Sequence, residues 1–170
     1  NCAHRIHAVC GHGLDICLNA GTTTINIKDN AHIVSATGGK YGGAGIGSGA
    51  NSFGTTTVNI TSGTVKAQGG DYGAGIGGGD NSRNTNITIS GGTIEEAVGG
   101  STGDGIGGGN SSRNITVTIQ GGTIKKAQGG KGNFYAGHGI HSDSTLNISG
   151  KAFIQNAKGG DGGTEGGRGI

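Results

Sequence analysis

Proline, methionine and tryptophan are absent from this 170-residue chain. Aromatic residues make up 4% of it and charged residues 13%. The lack of proline excludes collagen, although glycine is abundant, because a triple helix needs proline along with a strict three-residue glycine period. The low charge argues against disorder, since disordered chains are rich in charge and proline. The formal net charge is only +2, and no basic run is interleaved with aromatics, so nucleic acid is not an expected partner. No apolar run approaches the roughly 18 residues of a membrane helix, so no membrane insertion is expected. A signal peptide and an initiator methionine are also missing, as in a mature or excised piece of a longer precursor.

Glycine is what the chain has instead, 43 residues of it. "GAGIGGGDNSRNTNITISGGTI" at residues 73–94 returns as "GDGIGGGNSSRNITVTIQGGTI" at residues 103–124. One apolar ladder runs Ile16, Ile46, Ile76, Ile106, Ile140, Ile170, with steps of 30 residues and a single step of 34. A second runs Ile25, Val58, Ile87, Val117, Leu146, with Ile27, Ile60, Ile89, Ile119 and Ile148 two residues on. A third runs Ile33, Val65, Ile94, Ile124, Ile154 and is followed by alanines. Alternation such as "NITIS" is strand periodicity, and its β-branched residues suit strands. No stripe with helical period appears.

Each repeat therefore reads as three short strands, "NITIS", "GTIxxA" and "GAGIG". Three strands and three turns in about 30 residues make one triangular coil of a parallel β-helix. The expected fold class is all-β: a single-stranded parallel β-helix, or solenoid, of about five such coils. Right-handed winding is the usual sense of parallel crossovers. Five coils spaced as paired strands rise roughly 25 Å. The glycines are expected at corners with positive φ and where coils approach closely. The calcium-binding nonapeptide repeat does not fit. Its period is nine, and the positions matching Asp104 are Ala44, Ala74, His138 and Arg168.

Residues 1–15 read as a separate N-terminal cap, and residues 16–170 as the β-helix. A solenoid end must be covered because it exposes unpaired strand edges. Cys2, Cys10, Cys17, His4, His7 and His12 all fall in or beside this cap. They suit either one disulfide, Cys2–Cys10 or Cys10–Cys17, or a zinc site of Cys and His ligands.

Three surfaces are candidates for function. Thr24, Thr57, Asn86, Thr116 and Thr145 form one outward row of a flat polar face, and Asn26, Asn59, Thr88, Thr118 and Asn147 form the other. Such a face suits a solvated sheet, sugar hydroxyls or ordered ice-like water. Tyr41, Tyr72, Phe134 and Tyr135 fall in the turn before the third strand, where stacking brings them to one edge, placed to stack on pyranose rings. The four-residue insertion carrying "GNFYA" belongs to that turn, and irregular loops on regular scaffolds are common binding sites. Arg83 and Arg113 suit a uronate carboxylate, or else pairing with Asp80 or capping of backbone carbonyls on the corner. His138, His141 and Asp143 in "GHGIHSD", with Asp104, are candidate metal ligands. Five N-x-S/T sequons, at Asn59, Asn86, Asn110, Asn114 and Asn147, follow from the repeat's composition and are not taken as glycosylation sites.

Catalysis is not expected. Glycoside hydrolysis needs two carboxylates flanking one bond, and the 10 acidic residues do not cluster at equivalent strand positions. Glu95 and Glu96 are adjacent on a strand and are expected to point to opposite sides.

"GDGIGGGNSSRNITVTIQGGTIKKAQGG" and "GHGIHSDSTLNISGKAFIQNAKGGDG" resemble the Gly-rich repeats of secreted bacterial carbohydrate-binding proteins, including the polygalacturonate-binding β-helix family of bacterial cell surfaces. Similar repeats occur in large surface adhesins. The resemblance implies a right-handed parallel β-helix and calcium held by acidic residues near a D-D-G-I motif, where Asp104 matches the second Asp, before Gly105 and Ile106. It also implies a secreted or cell-surface protein whose partner is a polysaccharide or glycan. The function expected is therefore non-catalytic carbohydrate binding, without an obligatory cofactor. A structural stalk or adhesin segment and an ice-binding solenoid are the alternatives.

Overall fold

The computed structural model describes residues 5–8, 13–14, 21–162 and 164–170. The alternating segments stack as parallel strands in three sheets. The first sheet contains β3 (Thr22–Ile27), β6 (Thr55–Ile60), β9 (Arg83–Ile89), β12 (Arg113–Ile119) and β15 (Thr145–Ile148), joined in that order. Its register follows the repeat: Ile25 pairs with Val58, Val58 with Ile87, Ile87 with Val117 and Val117 with Leu146. These positions point inward, and the Thr and Asn between them point out, which is the two-residue period of a pleated strand. The sheet has five strands, one per coil, as the repeat predicted.

The second sheet stacks β4 (His32–Thr37), β7 (Thr64–Gln68) and β10 (Thr93–Val98). It continues through the short pairs β13 (Thr123–Ile124) with β14 (Ala127–Gln128) and β16 (Phe153–Ile154) with β17 (Ala157–Lys158). The third sheet is short: β5 (Ile46–Gly47), β8 (Ile76–Gly77) and β11 (Ile106–Gly107), extended by a bridge from Ile106 to Ile140. Isoleucines and valines from all three sides fill one thin core, in which Ile60, Ile76, Ile89, Ile94, Ile119 and Ile140 are wholly buried. On the last coil Leu146 and Ile148 stay exposed, because no further described strand lies over them.

The second sheet departs from strict alternation. Ile94 and Ala97 are both buried, and Glu95 and Glu96 between them both lie at the surface. The pairing of β7 with β10 slips by one residue here, since Val65 and Ala67 are separated by a single lysine. A bulge of this kind turns two successive side chains outward. The expectation that Glu95 and Glu96 point to opposite sides is thus corrected. They bond instead to the next coil, Glu95 to Lys125 at 2.8 Å and Glu96 to Lys126 at 2.6 Å.

The third side is narrow enough to require glycine. Gly77 has φ +133°, and a Cβ there would sit 2.0 Å from the Gly107 carbonyl oxygen of the next coil. The corner after this side is turned by left-handed residues, Asn51, Asn81 and Ser111 at φ 56°, 49° and 54°. Asparagine tolerates this conformation and can pair its amides. Asn81 Nδ2 donates to Asn51 Oδ1 at 2.9 Å, and Asn114 Nδ2 to Asn84 Oδ1 at 3.0 Å.

At the N-terminal end β1 (Arg5–Ala8) and β2 (Gly13–Leu14) form an antiparallel hairpin, and β1 pairs antiparallel with β4. The hairpin occupies the free edge of the first coil's second side. Cys2, Cys10, Cys17, His4, His12 and Ile16 lie outside the described residues, as does any disulfide or zinc site among them.

Candidate functional site

The described chemistry gathers where the repeat is broken. On the third side, Ala44 and Ala74 stack one above the other, fully buried. The same position holds Asp104 in the third coil, His138 in the fourth and Arg168 in the fifth. Three residues beyond it stand Gly47, Gly77 and Gly107, and in the fourth coil His141. Polar side chains in a ladder built for alanine and glycine need partners nearby.

Asp104 is 5% exposed. Its carboxylate supplies acceptors that the regular coils take from the backbone. Ala44, Ala74 and Asp104 each donate their N–H to the carbonyl four residues on, at 2.9–3.0 Å. His138 N–H donates to Asp104 Oδ1 instead, at 2.8 Å. Ser48 and Gly78 donate to the Gly77 and Gly107 carbonyls of the following coil, whereas Gly108 N–H donates to Asp104 Oδ2 at 2.9 Å. The same oxygen lies 3.2 Å from His141 Nδ1.

The two imidazoles lie with ring centroids 4.5 Å apart, yet their basicities are pushed in opposite directions. Burial holds His138 below the ordinary histidine value. The Asp104 charge opposes this, and His141 and Arg168 reinforce it. His138 Nδ1 accepts the Arg168 N–H at 2.8 Å, which suits a neutral ring with its proton on Nε2. His141 is raised, chiefly by its hydrogen bond to Asp104, against a smaller effect of burial. A single carboxylate thus serves both rings, but only His141 bonds to it through its side chain.

Beside this cluster lies a depression of about 260 Å³. Asp104, His138, His141, Asp143 and the inserted loop's Tyr135 line it, with Thr102, Asn110 and Ser111. The Thr102 Oγ1 is buried without a hydrogen-bond partner among the described residues. The four candidate metal ligands and one candidate stacking residue therefore share one site. Asp143 is already committed, because its two oxygens accept the N–H groups of Asn114 and Ile115 at 3.0 and 2.6 Å.

The calcium implied by the resemblance does not fit these residues. Calcium takes 6–8 oxygen ligands. Here one carboxylate is bonded to two backbone N–H groups and an imidazole, and the other caps a strand. The other ligand atoms clustered with Asp104 are ring nitrogens, of His138 and His141.

Apart from Tyr135, the other expected surface residues do not line this site. Tyr41, Tyr72, Phe134 and Tyr135 are all exposed. Their turns stack, with Asp71 N–H on the Lys40 carbonyl and Ser101 N–H on the Asp71 carbonyl, but no ring contact joins the four among the described residues. Arg83 and Arg113 are neighbours in register on the first sheet. The expected Arg83–Asp80 pairing is not what forms. The Arg83 guanidinium lies over the Phe53 ring, 5.4 Å from its centroid, and Asp80 Oδ1 accepts from Asn110 Nδ2 at 3.1 Å. The two Thr/Asn rows align strand on strand, Thr24 with Thr57, Thr88 with Thr118 and Thr116 with Thr145. Asn59 Nδ2 donates to Asn26 Oδ1 at 2.9 Å within that face.

What sequence reasoning missed was the link between Asp104 and the histidines. The signal was present, since Asp104, His138 and Arg168 break an alanine ladder. Only the stacking shows that Asp104 of one coil bonds His138 and His141 of the next.

Among the described residues no helix is long and apolar enough to cross a membrane. No curated protein and no solved structure matches the chain. The beta helix repeat model matches residues 58–80, 87–110 and 117–144, each segment running from the first side of one coil through its second and third sides. Repeat pattern, matched segments and three parallel sheets agree, and the chain is a β-helix repeat protein.

Proposed function

We propose that the chain is a non-catalytic carbohydrate-binding module of a secreted or surface-exposed bacterial protein, and that the fourth-coil depression contacts the sugar. The observation that carries this reading is Tyr135. It stands 63% exposed on the wall of a depression whose lining includes hydroxyl, amide, imidazole and carboxylate groups. An exposed ring beside convergent polar groups matches the two faces of a pyranose, apolar C–H above and hydroxyls at the rim. At about 260 Å³ the depression is smaller than the roughly 300–1,000 Å³ of enclosing ligand pockets. Shallow contact of this kind suits one residue of a long polysaccharide lying across the coils, with Tyr72 and Tyr41 further along the stacked turns.

The acidic residues support binding without cleavage. Glu95 and Glu96 are ion-paired to lysines, and Asp104 and Asp143 are bonded to backbone N–H groups. No pair of free carboxylates faces the depression among its lining residues.

A glycan array of the whole chain tests the proposal, run with calcium and with chelator and repeated with Tyr135→Ala. Binding to one polysaccharide class, lost in the variant, is expected. If the array shows no binding, the sugar reading fails and the rigid rod itself, a stalk, becomes the function. The aligned Thr/Asn rows favour ice binding as a further alternative. Ice grown with the unmodified protein checks it, and an absence of faceted crystals removes it.

A further inference from the structure

We infer that Asp104, His138 and His141 form a binding site for a divalent transition-metal ion of the zinc class. The inference does not rest on the sugar reading. One potential ligand atom from each residue falls within a 4.8 Å span. Asp104 Oδ2 and His141 Nδ1 are 3.2 Å apart. Two ligands about 2.0–2.1 Å from a tetrahedral ion are separated by about 3.3 Å, so an ion can replace the proton that these two atoms share. His138 supplies the third ligand through a ring nitrogen that already lies within the same span.

The surroundings are built as such a site requires. The Asp104 carboxylate is held at both oxygens by backbone N–H groups, of His138 and Gly108, which fix the ligand's direction. Space beside it depends on Gly107, where a Cβ would come within 2.6 Å of Asp104 Oδ2. Two imidazoles and one carboxylate are the donor set of zinc, cobalt, nickel and copper sites. All three residues line the depression, so the coordination positions they leave unfilled face solvent. The departures from the repeat are also concentrated here. Alanine is replaced by aspartate and then histidine, and glycine by histidine, in two successive coils of one stack.

Zinc chloride and cobalt chloride titrated into the full chain test this, by calorimetry and by visible absorption. The N-terminal cysteines are a competing site, and cobalt separates the two, since thiolate ligation adds intense near-ultraviolet charge-transfer bands that nitrogen and oxygen ligation lacks. His138→Ala and His141→Gly restore the residues that the second coil carries, Ala74 and Gly77, and circular dichroism checks their folding. The expected result is an equivalent of cobalt with d–d bands and no thiolate bands, weakened more than about 100-fold in each variant. The inference is overturned if no such equivalent binds, if only thiolate-type binding appears, or if both folded variants keep the original affinity.

Discussion

Replacing Asp104 by alanine should cost the protein stability although alanine is the residue this position carries in two other coils. At Ala44 and Ala74 the neighbouring N–H groups find backbone carbonyls. Around Asp104 two of them, from Gly108 of the same coil and His138 of the next, find the Asp104 carboxylate instead, at 2.9 and 2.8 Å. A hydrogen bond to a charged acceptor contributes about 1.5–3 kcal/mol, and a buried donor left alone costs about 1–3 kcal/mol. Relief from burying the carboxylate offsets part of the loss. A net destabilisation of about 3 kcal/mol follows, which for a chain of this length lowers the melting temperature by about 6–12 °C. Asp104→Asn keeps one oxygen and should lose about half as much. Calorimetry of the metal-free protein measures the first quantity. Amide hydrogen exchange measures the cause directly, since the Gly108 and His138 amides should exchange faster in Asp104→Ala and the Gly78 amide should not. An unchanged melting temperature with unchanged exchange at those two amides would refute the idea that the carboxylate replaces backbone acceptors.

Two further expectations follow from the same geometry. In chelator, His141 should titrate above 6.5 and His138 below it, read by NMR of the ring nitrogens. The raised His141 contributes stability that is full below about pH 6.5 and is lost as pH rises through its folded value. The lowered His138 contributes stability that is present above about 6.5 and is lost as pH falls through its own. The pair therefore gives a stability maximum near that pH, and superimposed titration curves for the two rings would show the account to be wrong. Gly77→Ala should destabilise the rod by more than about 2 kcal/mol, because its φ of +133° and the Gly107 oxygen at 2.0 Å both oppose a Cβ. A variant that melts within a degree of the parent would mean that the coils can move apart.

The coil was readable from residue order because its causes are local and repeated. Alternation of Ile and Val with Thr and Asn specifies strands, and a 30-residue return stacks like on like. Val58 over Ile87 and Ile76 over Ile106 are in the register the ladders predicted. The bulge at Glu95 and Glu96 was not readable, because it depends on how many residues separate the buried Ile94 and Ala97 and on the neighbouring coil's shorter count. Arg83 found Phe53 rather than Asp80 for a similar reason, since a cation's choice among neighbours is settled by which side chains stand beside it in the adjacent coil. The site shows the division most clearly. Sequence alone determined that Asp104, His138 and His141 break the repeat on the third side. Only the tertiary structure decided that one buried carboxylate joins the two rings, since residues 34 and 37 positions apart meet only when successive coils close on each other.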